Sequence, residues 1–329
     1  MSQLIDNLNI IESVKTDIKT AIENKGVDMT GVSFPGYASK IGEITTSFVT
    51  VPLNVSANGT YTPGQGVDGY SQVVVDVPQS VTGFTEKDIT EKTYSIINLD
   101  NSASFVASSA FNGNTTIKTV NLPYATKVYN YAFYACTSLT QVNLPMCSIL
   151  YSYAFYFCRS LTQVNIPVCS IISDYALGYC TSLSQVSLPM CNTIMQAGFQ
   201  NCSKLTQVDL PMCSYIDLNG FQSCYSLSQV SLPLCSIIGN NAFNYCSSLS
   251  QISLPVCSII SKNAFGYCRS LSIITIGYSS VCSLGSTNVF SNTQITSSTG
   301  SIYVPASLVD SYKSATNWSI YSTQIFPIS

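Results

Sequence analysis

The feature that most constrains this chain is a fixed 22-residue period running through its central and C-terminal parts. Proline recurs at Pro123, Pro145, Pro167, Pro189, Pro211, Pro233 and Pro255. A second register residue recurs at Leu139, Leu161, Leu183, Leu205, Leu227, Leu249 and Leu271, with Ile117 one step earlier. Read from Leu139, one unit places apolar or small residues at Leu139, Val142, Leu144, Cys147, Leu150, Ala154, Phe155 and Cys158. The alternation of Val142 and Leu144 is the period of a half-buried strand, and the proline that follows stops that strand and turns the chain. So few apolar side chains cannot repay the entropy of ordering a whole unit. Units must therefore stack, each covering its neighbour's open face, in a quasi-one-dimensional array with atypical ends. Eight units are countable. At a strand spacing of about 4.8 Å they predict a rod section about 40 Å long.

Only 9% of the residues are charged, against roughly 25% in an ordinary globular protein. Ser, Thr, Asn and Gln must keep the surface wet. The net charge of −3 comes without any basic cluster, so no nucleic-acid partner is expected. The first residues carry an acid at Asp6 and no continuous apolar core, so no secretory signal is predicted. No stretch approaches the roughly 20 apolar residues of a membrane span, and no membrane insertion is expected.

Fourteen cysteines made in a reducing compartment are expected to stay thiols. Thirteen of them lie in two ladders offset by eleven residues, Cys136 to Cys268 and Cys147 to Cys257. Their spacing follows the repeat and contains no C-x-x-C pair, so no metal site is predicted. Neighbouring Cβ atoms would stand almost a full strand spacing apart, too far for an unstrained disulfide. These side chains read as small buried hydrophobes. The chain has no histidine, which removes imidazole acid–base and triad chemistry. The repeats hold few acids, chiefly Asp174, Asp209 and Asp217, and no phosphate-cradling loop. No enzyme, no cofactor and no catalytic residue is expected.

The run Ala242-Phe243 to Cys246, Ser248-Leu249, Ile252 and Leu254-Pro255 resembles the BspA-like leucine-rich repeats, whose pattern is A-F-x-x-C-x-S-L-x-x-I-x-I-P. The match recurs in phase through the eight units. The tail from Ile302-Tyr303-Val304-Pro305 through Tyr312-Lys313 to Asn317-Trp318 is similar to the C-terminal cap of such arrays. The resemblance implies a mainly β leucine-rich repeat solenoid over residues 105–300 with a C-terminal cap over 301–329. One departure is systematic: the valine usual after the proline turn is cysteine here, at Cys147, Cys169, Cys191, Cys213, Cys235 and Cys257.

Ahead of the repeats, Leu4, Leu8, Ile11, Ile18 and Ile22 recur at four- and three-residue intervals, with Lys15 interrupting. This predicts an amphipathic, coiled-coil-like helix within residues 1–27. Its stripe must be buried, by homo-oligomerisation, by another protein or by its own chain. A connecting element over 28–45 leads to a small β module over 46–80, where alternating apolar runs flank the turn signals Asn58-Gly59 and Pro63-Gly64. Residues 81–104 read as a linker or N-terminal cap. The helix ending at Lys25-Gly26-Val27, the element from Ser33 through Tyr37-Ala38 to Ile41, and the run from Val55 through Asn58-Gly59-Thr60-Tyr61 to Pro63 resemble N-terminal modules of bacteriophage tail and fibre proteins. That resemblance implies a virion fibre or appendage, made in the host cytoplasm and homo-oligomeric, a trimer by analogy with fibres. Its partners would be other virion proteins and a host cell-surface protein or glycan. A bacterial surface or secreted adhesin, and a purely structural virion decoration protein, stand as alternatives.

Two sets of residues are candidate binding groups. Gln141, Gln163, Gln185, Gln207, Gln229 and Gln251 precede the inward residue of each strand, and Asn143, Asn165, Ser187, Asp209, Ser231 and Ser253 follow it. Such columns either stiffen the sheet by hydrogen bonding between coils or offer a flat polar face to a glycan or protein. Tyr129, Tyr131, Tyr134, Tyr151, Tyr153 and Tyr156 crowd the early repeats, whereas Asn219, Asn241 and Asn263 take over the Tyr131 position later. An exposed tyrosine cluster suits recognition. The same rings would also serve as packing against the β module or a neighbouring protomer.

Overall fold

The computed structural model describes residues 105–328, together with the backbone of three short strands, Gly59–Tyr61, Val73–Val75 and Ile96–Leu99. The helix expected over residues 1–27, with Leu4, Leu8, Ile11, Ile18 and Ile22, lies outside the described residues, as does the element over 28–45.

Each coil has three sides. In the coil of Leu139, a front strand Gln141–Asn143 gives way at Pro145 to a corner, then to a back strand Ile149–Leu150, then to a flank of consecutive turns. Val142 from the front, Leu150 from the back, and Ala154, Phe155 and Cys158 from the flank all point inward and are buried. Successive front strands pair in parallel and in register, Gln141 with Gln163, Val142 with Val164 and Asn143 with Asn165. Equivalent residues therefore align in columns along the rod.

The back strands make a nine-stranded parallel sheet from Phe105–Val106 to Ser283–Leu284. The stack is longer than the eight countable units. Ile96–Leu99 pairs in parallel with Thr119–Asn121, and Ser301–Val304 continues beyond Ile273–Ile276, giving about ten coils. The N-terminal end coil lacks both register residues and the C-terminal one keeps only a proline, Pro305, out of the 22-residue spacing, so the period alone does not show them. At the other extremity, Gly59–Tyr61 and Val73–Val75, both within the predicted β module, pair antiparallel and extend the front sheet through Ile96–Leu99. The front sheet is interrupted once among the parallel coils. Gln229–Ser231 and Gln251–Leu254 fall in separate sheets, although the back strands Ile237–Ile238 and Ile259–Ile260 of those coils stay paired.

The flank carries a third ladder. Alternate N–H groups donate to the next coil, Tyr131 to the Ser152 carbonyl at 3.1 Å, Phe133 to Ala154 at 2.8 Å and Ala135 to Tyr156 at 2.7 Å. To aim these groups along the axis while the chain keeps turning, two residues per coil adopt positive φ, for example Tyr131 at 59° and Ala135 at 54°. The left-handed region costs a residue with a β-carbon roughly 1–2 kcal/mol. The chain accepts this at bulky residues too, including Tyr153, Phe157, Tyr175 and Tyr179.

The core is made of columns. Phe111, Phe133 and Phe155 stack at 5.0 Å, and Phe199, Phe221, Phe243 and Phe265 continue the column at 5.1 to 5.5 Å. All fourteen cysteines are free and buried. The ladder beginning at Cys136 does more than fill space, because each thiol donates to a backbone carbonyl of the preceding coil: Cys158 to Phe133 at 3.1 Å, Cys224 to Phe199 at 3.1 Å. Burial pushes Cys224 and Cys268 up to about 12, and Cys169 and Cys213 up to about 11. These groups are protonated and poorly nucleophilic at neutral pH.

At the C-terminal end, the strand Ser301–Val304 pairs with Ile325–Pro327, and the helix Val309–Ser314 lies between them in sequence. Trp318 and Tyr312 are buried. The Trp318 indole N–H donates to the Cys282 carbonyl at 2.7 Å, the Tyr312 hydroxyl accepts from the Cys282 N–H at 2.9 Å, and Asn317 donates to the Leu284 carbonyl at 2.6 Å. Backbone groups that another coil would have paired are satisfied by side chains instead, which ends the stack.

Outside the core, the corner after each proline exposes Tyr124, Met146, Val168, Met190, Met212 and Leu234 in one column. The outward residues of the back strands, among them Ile149, Ile171, Ile237 and Ile259, form a second apolar column three residues on.

Candidate functional site

The front sheet is the largest regular surface of the molecule. Each three-residue strand turns its middle residue inward, buried in all but Gln229–Ser231, so the residues on either side must face solvent. Gln141, Gln163, Gln185, Gln207, Gln229 and Gln251 are all exposed. The residues that flank them on the other side, such as Asn165, Ser187, Asp209 and Ser231, are exposed as well. Between the two columns the valines form a narrow floor. The result is a shallow trough along the rod, with depressions of about 420 Å³ over Thr119 to Asn165, 360 Å³ over Gln163 to Asp209, and 300 Å³ over Ser228 to Thr275. Asp209 is the charged residue lining it.

The two polar columns behave differently. Asn143 donates its amide to Asn121 at 2.7 Å, and Asn165 donates to Asn143 at 2.7 Å, so the short amides spend themselves on one another. The glutamine amides take no hydrogen-bond partner among the described residues. Just before them, Thr140, Thr162, Thr206 and Ser228 turn their hydroxyls onto carbonyls of the preceding coil. Over its first coils, from Asn121 to Asn165, one edge of the trough is thus internally satisfied, while the other presents a row of uncommitted donors and acceptors along the rod. A glutamine side chain offers two N–H donors and a carbonyl acceptor. Repeated once per coil, it suits an extended ligand with a similar repeat.

The tyrosines lie elsewhere, on the flank and its border with the back sheet. Tyr129 stacks on Tyr151 at 4.8 Å, and Tyr131 on Tyr153 at 4.9 Å with the rings only 3° from parallel. Tyr175 extends the second stack at 4.9 Å. Most of their π faces are covered by one another, leaving edges and hydroxyls toward solvent. Tyr156 packs against Tyr134, Tyr153, Phe157 and Tyr179, and its ring occupies the space over Gly178, where a β-carbon would come within 3.0 Å of it. The glutamine and tyrosine sets are therefore two surfaces. The exposed methionines of the corner column escaped the sequence reading, although their period is as regular as that of the glutamines.

Among the described residues, no group of histidine, cysteine, aspartate and glutamate side chains could hold a metal ion, and no helix is long and apolar enough to cross a membrane.

Comparison with known proteins bears on the repeats. The family model described as BspA type leucine rich repeat region matches six copies, over residues 84–206 and 170–296. No curated protein matches the chain. Among solved structures, a leucine rich repeat protein of T. pallidum is 26% identical, with 47% of this chain and 77% of that chain covered and a TM-score of 0.44. A leucine-rich repeat protein from Bacteroides ovatus is 16% identical, covering 83% of this chain and 98% of its own, with a TM-score of 0.35. A leucine rich cell surface protein from Faecalibacterium prausnitzii is 17% identical, with coverages of 81% and 98% and a TM-score of 0.26. The parallel solenoid, its in-phase repeats and a family match across most of the chain agree: the protein belongs to the BspA type leucine rich repeat family, whose fold is suited to protein binding.

Proposed function

We propose that this chain is a non-enzymatic binding protein of a bacteriophage virion, a fibre or appendage. It attaches and oligomerises through residues 1–104 and presents the solenoid to a host-surface protein or glycan. The observation that carries the binding role is the row of uncommitted glutamine amides along the front trough. A polar group exposed at every coil without an internal partner is free to exchange water for ligand at little cost. The virion assignment draws on the resemblance of the helix, the Ser33 to Ile41 element and the Val55 to Pro63 run to phage tail modules.

The binding role is tested by adding purified full chain to bacterial cells, with Gln163→Ala, Gln185→Ala and Gln207→Ala combined. The expected result is a loss of cell binding of about tenfold or more, equivalent to about 1.4 kcal/mol or more, with an unchanged melting temperature. Undiminished binding would place the ligand elsewhere. Immunogold labelling of purified phage particles with antibody to this chain tests the virion role separately, and unlabelled particles beside labelled bacterial envelopes would replace it with the surface-adhesin reading.

A further inference from the structure

The registration that aligns glutamines on the front also aligns apolar side chains on the opposite side. Met146, Met190 and Met212 are 53%, 55% and 48% exposed, and Leu234 is 46% exposed, all in the column that follows the prolines. The back-strand column beside it is led by isoleucine. The residues between these columns are mostly serines, with the exposed Asn192 as the exception. Ser148 donates its hydroxyl to the Thr126 carbonyl, Ser170 to Ser148 and Ser236 to Ser214, each at 3.1 Å. Their hydrogens are thereby withdrawn from solvent. Across these three columns only Lys127, at the N-terminal end, is charged. The outcome is a largely apolar, nearly uncharged strip along the rod, broken in the middle by Asn192 and Thr193.

We infer that this strip is a self-association surface, covered by the same strip of a second copy of the chain. Three arguments converge on that occupant. A fully exposed side chain of this type offers on the order of 100 Å² of apolar area, so the seven that are 39% to 55% exposed supply roughly 330 Å² per copy, to which the more covered Ile149, Ile171 and Ile237 add a little. That is about the apolar share of the roughly 600 Å² each partner contributes at the small end of stable interfaces, the rest coming from a polar rim. Second, only another rod with the same coil spacing presents knobs at matched intervals over every coil, and a symmetry axis brings identical patches together. Third, nothing on the strip repels its own image, since it is uncharged over nearly its whole length. Methionine adds tolerance, because its flexible thioether adapts to an imperfectly matched surface.

The test uses the purified full chain with Met190 replaced by photoreactive p-benzoylphenylalanine. Irradiation followed by peptide mapping is expected to give links between two copies, landing on strip residues near Met190 or Met212 of the second copy. Adding Met146→Lys and Met212→Lys, which set like charges against each other, should lower the yield more than tenfold. Gln185→Ala on the front sheet should leave it unchanged. The far-ultraviolet spectrum of the lysine variant checks that it folds, and Met146→Ser with Met212→Ser replaces it if it does not. No link between copies, links confined to residues 1–104, links to the front sheet, or full yield in the folded strip variant would each overturn the inference. Because the strip and the trough belong to different sheets, either can fail without the other.

Discussion

The early and late coils of this solenoid solve the same backbone problem in different ways. At the first left-handed position of each flank, Tyr131, Tyr153 and Tyr175 have φ near 58°, and so do Asn219, Asn241 and Asn263. Asparagine populates that region several-fold more readily than most residues with a β-carbon, whereas tyrosine does not. The late coils therefore reach the conformation cheaply. The early coils reach it at a cost offset by stacking, with ring centroids 4.9 Å apart on either side of Tyr153. Stability there is shared between coils, not held within each one.

The largest effect should show what the two regions have in common. Phe155→Ala and Phe221→Ala each remove a buried ring from the core column, and each should cost about 3–5 kcal/mol in urea unfolding. A cost confined to one of them would mean that the regions differ in the core as well as on the flank. Next comes Tyr153→Ala, which keeps a β-carbon at positive φ and deletes two stacking contacts. It should cost about 2 kcal/mol at roughly 0.5–1.5 per contact. Asn241→Ala at the equivalent late position loses only local tolerance, about 1 kcal/mol. Equal losses for these two variants would break the comparison. Asn241→Gly should be smaller still, within about 0.5 kcal/mol of the parent, since glycine occupies the left-handed region freely but is more disordered when unfolded.

The smallest effect is a dependence on alkaline pH. Burial, then the neighbouring Tyr179 and Tyr134, push the Tyr156 phenol up to about 12, from an ordinary value near 10. The folded state thus holds this proton more tightly than the unfolded state. The contribution is complete below pH about 10 and is lost as pH rises toward about 12. Buried thiols such as Cys169, Cys213 and Cys224 act in the same sense from about pH 9 upward, so the comparison must be with Tyr156→Phe. That variant should show a shallower fall in urea midpoint between pH 10 and 11. Parallel curves for the two proteins would remove Tyr156 from the account.

Much of this architecture was legible in the sequence because a period turns one residue pattern into a spatial rule. The inward valines, the outward glutamines and the proline corners follow from alternation within one unit, and stacking copies the answer along the rod. The flank was not legible. Nothing local marks Tyr153 or Phe157 as left-handed, since propensity argues against it, and only the ladder to the next coil imposes it. Side-chain bonding was not legible either: the asparagine amides of the front sheet bond their neighbours one coil away, whereas its glutamines reach none, although Gln200 and Gln222 on the flank do bond across one coil. The end coils were hidden because they keep the strand but not the leucine or the 22-residue spacing that reveals the period. The apolar corner column was written in the sequence as plainly as the cysteines beside it. Its meaning depended on exposure, which the front and back of a coil do not declare in advance.

The interruption in the front sheet has a mechanical consequence. Hydrogen bonds between coils point along the rod, so a pull on its two ends loads the joints in series and the joint with the fewest bonds yields first. Between the coils of Gln229 and Gln251 the front strands do not pair, and the load falls on the back strands and the flank. Among the joints that back strands also bridge, a tether built from this solenoid would be weakest there, with the tyrosine-bearing coils on one side and the tryptophan-sealed end on the other.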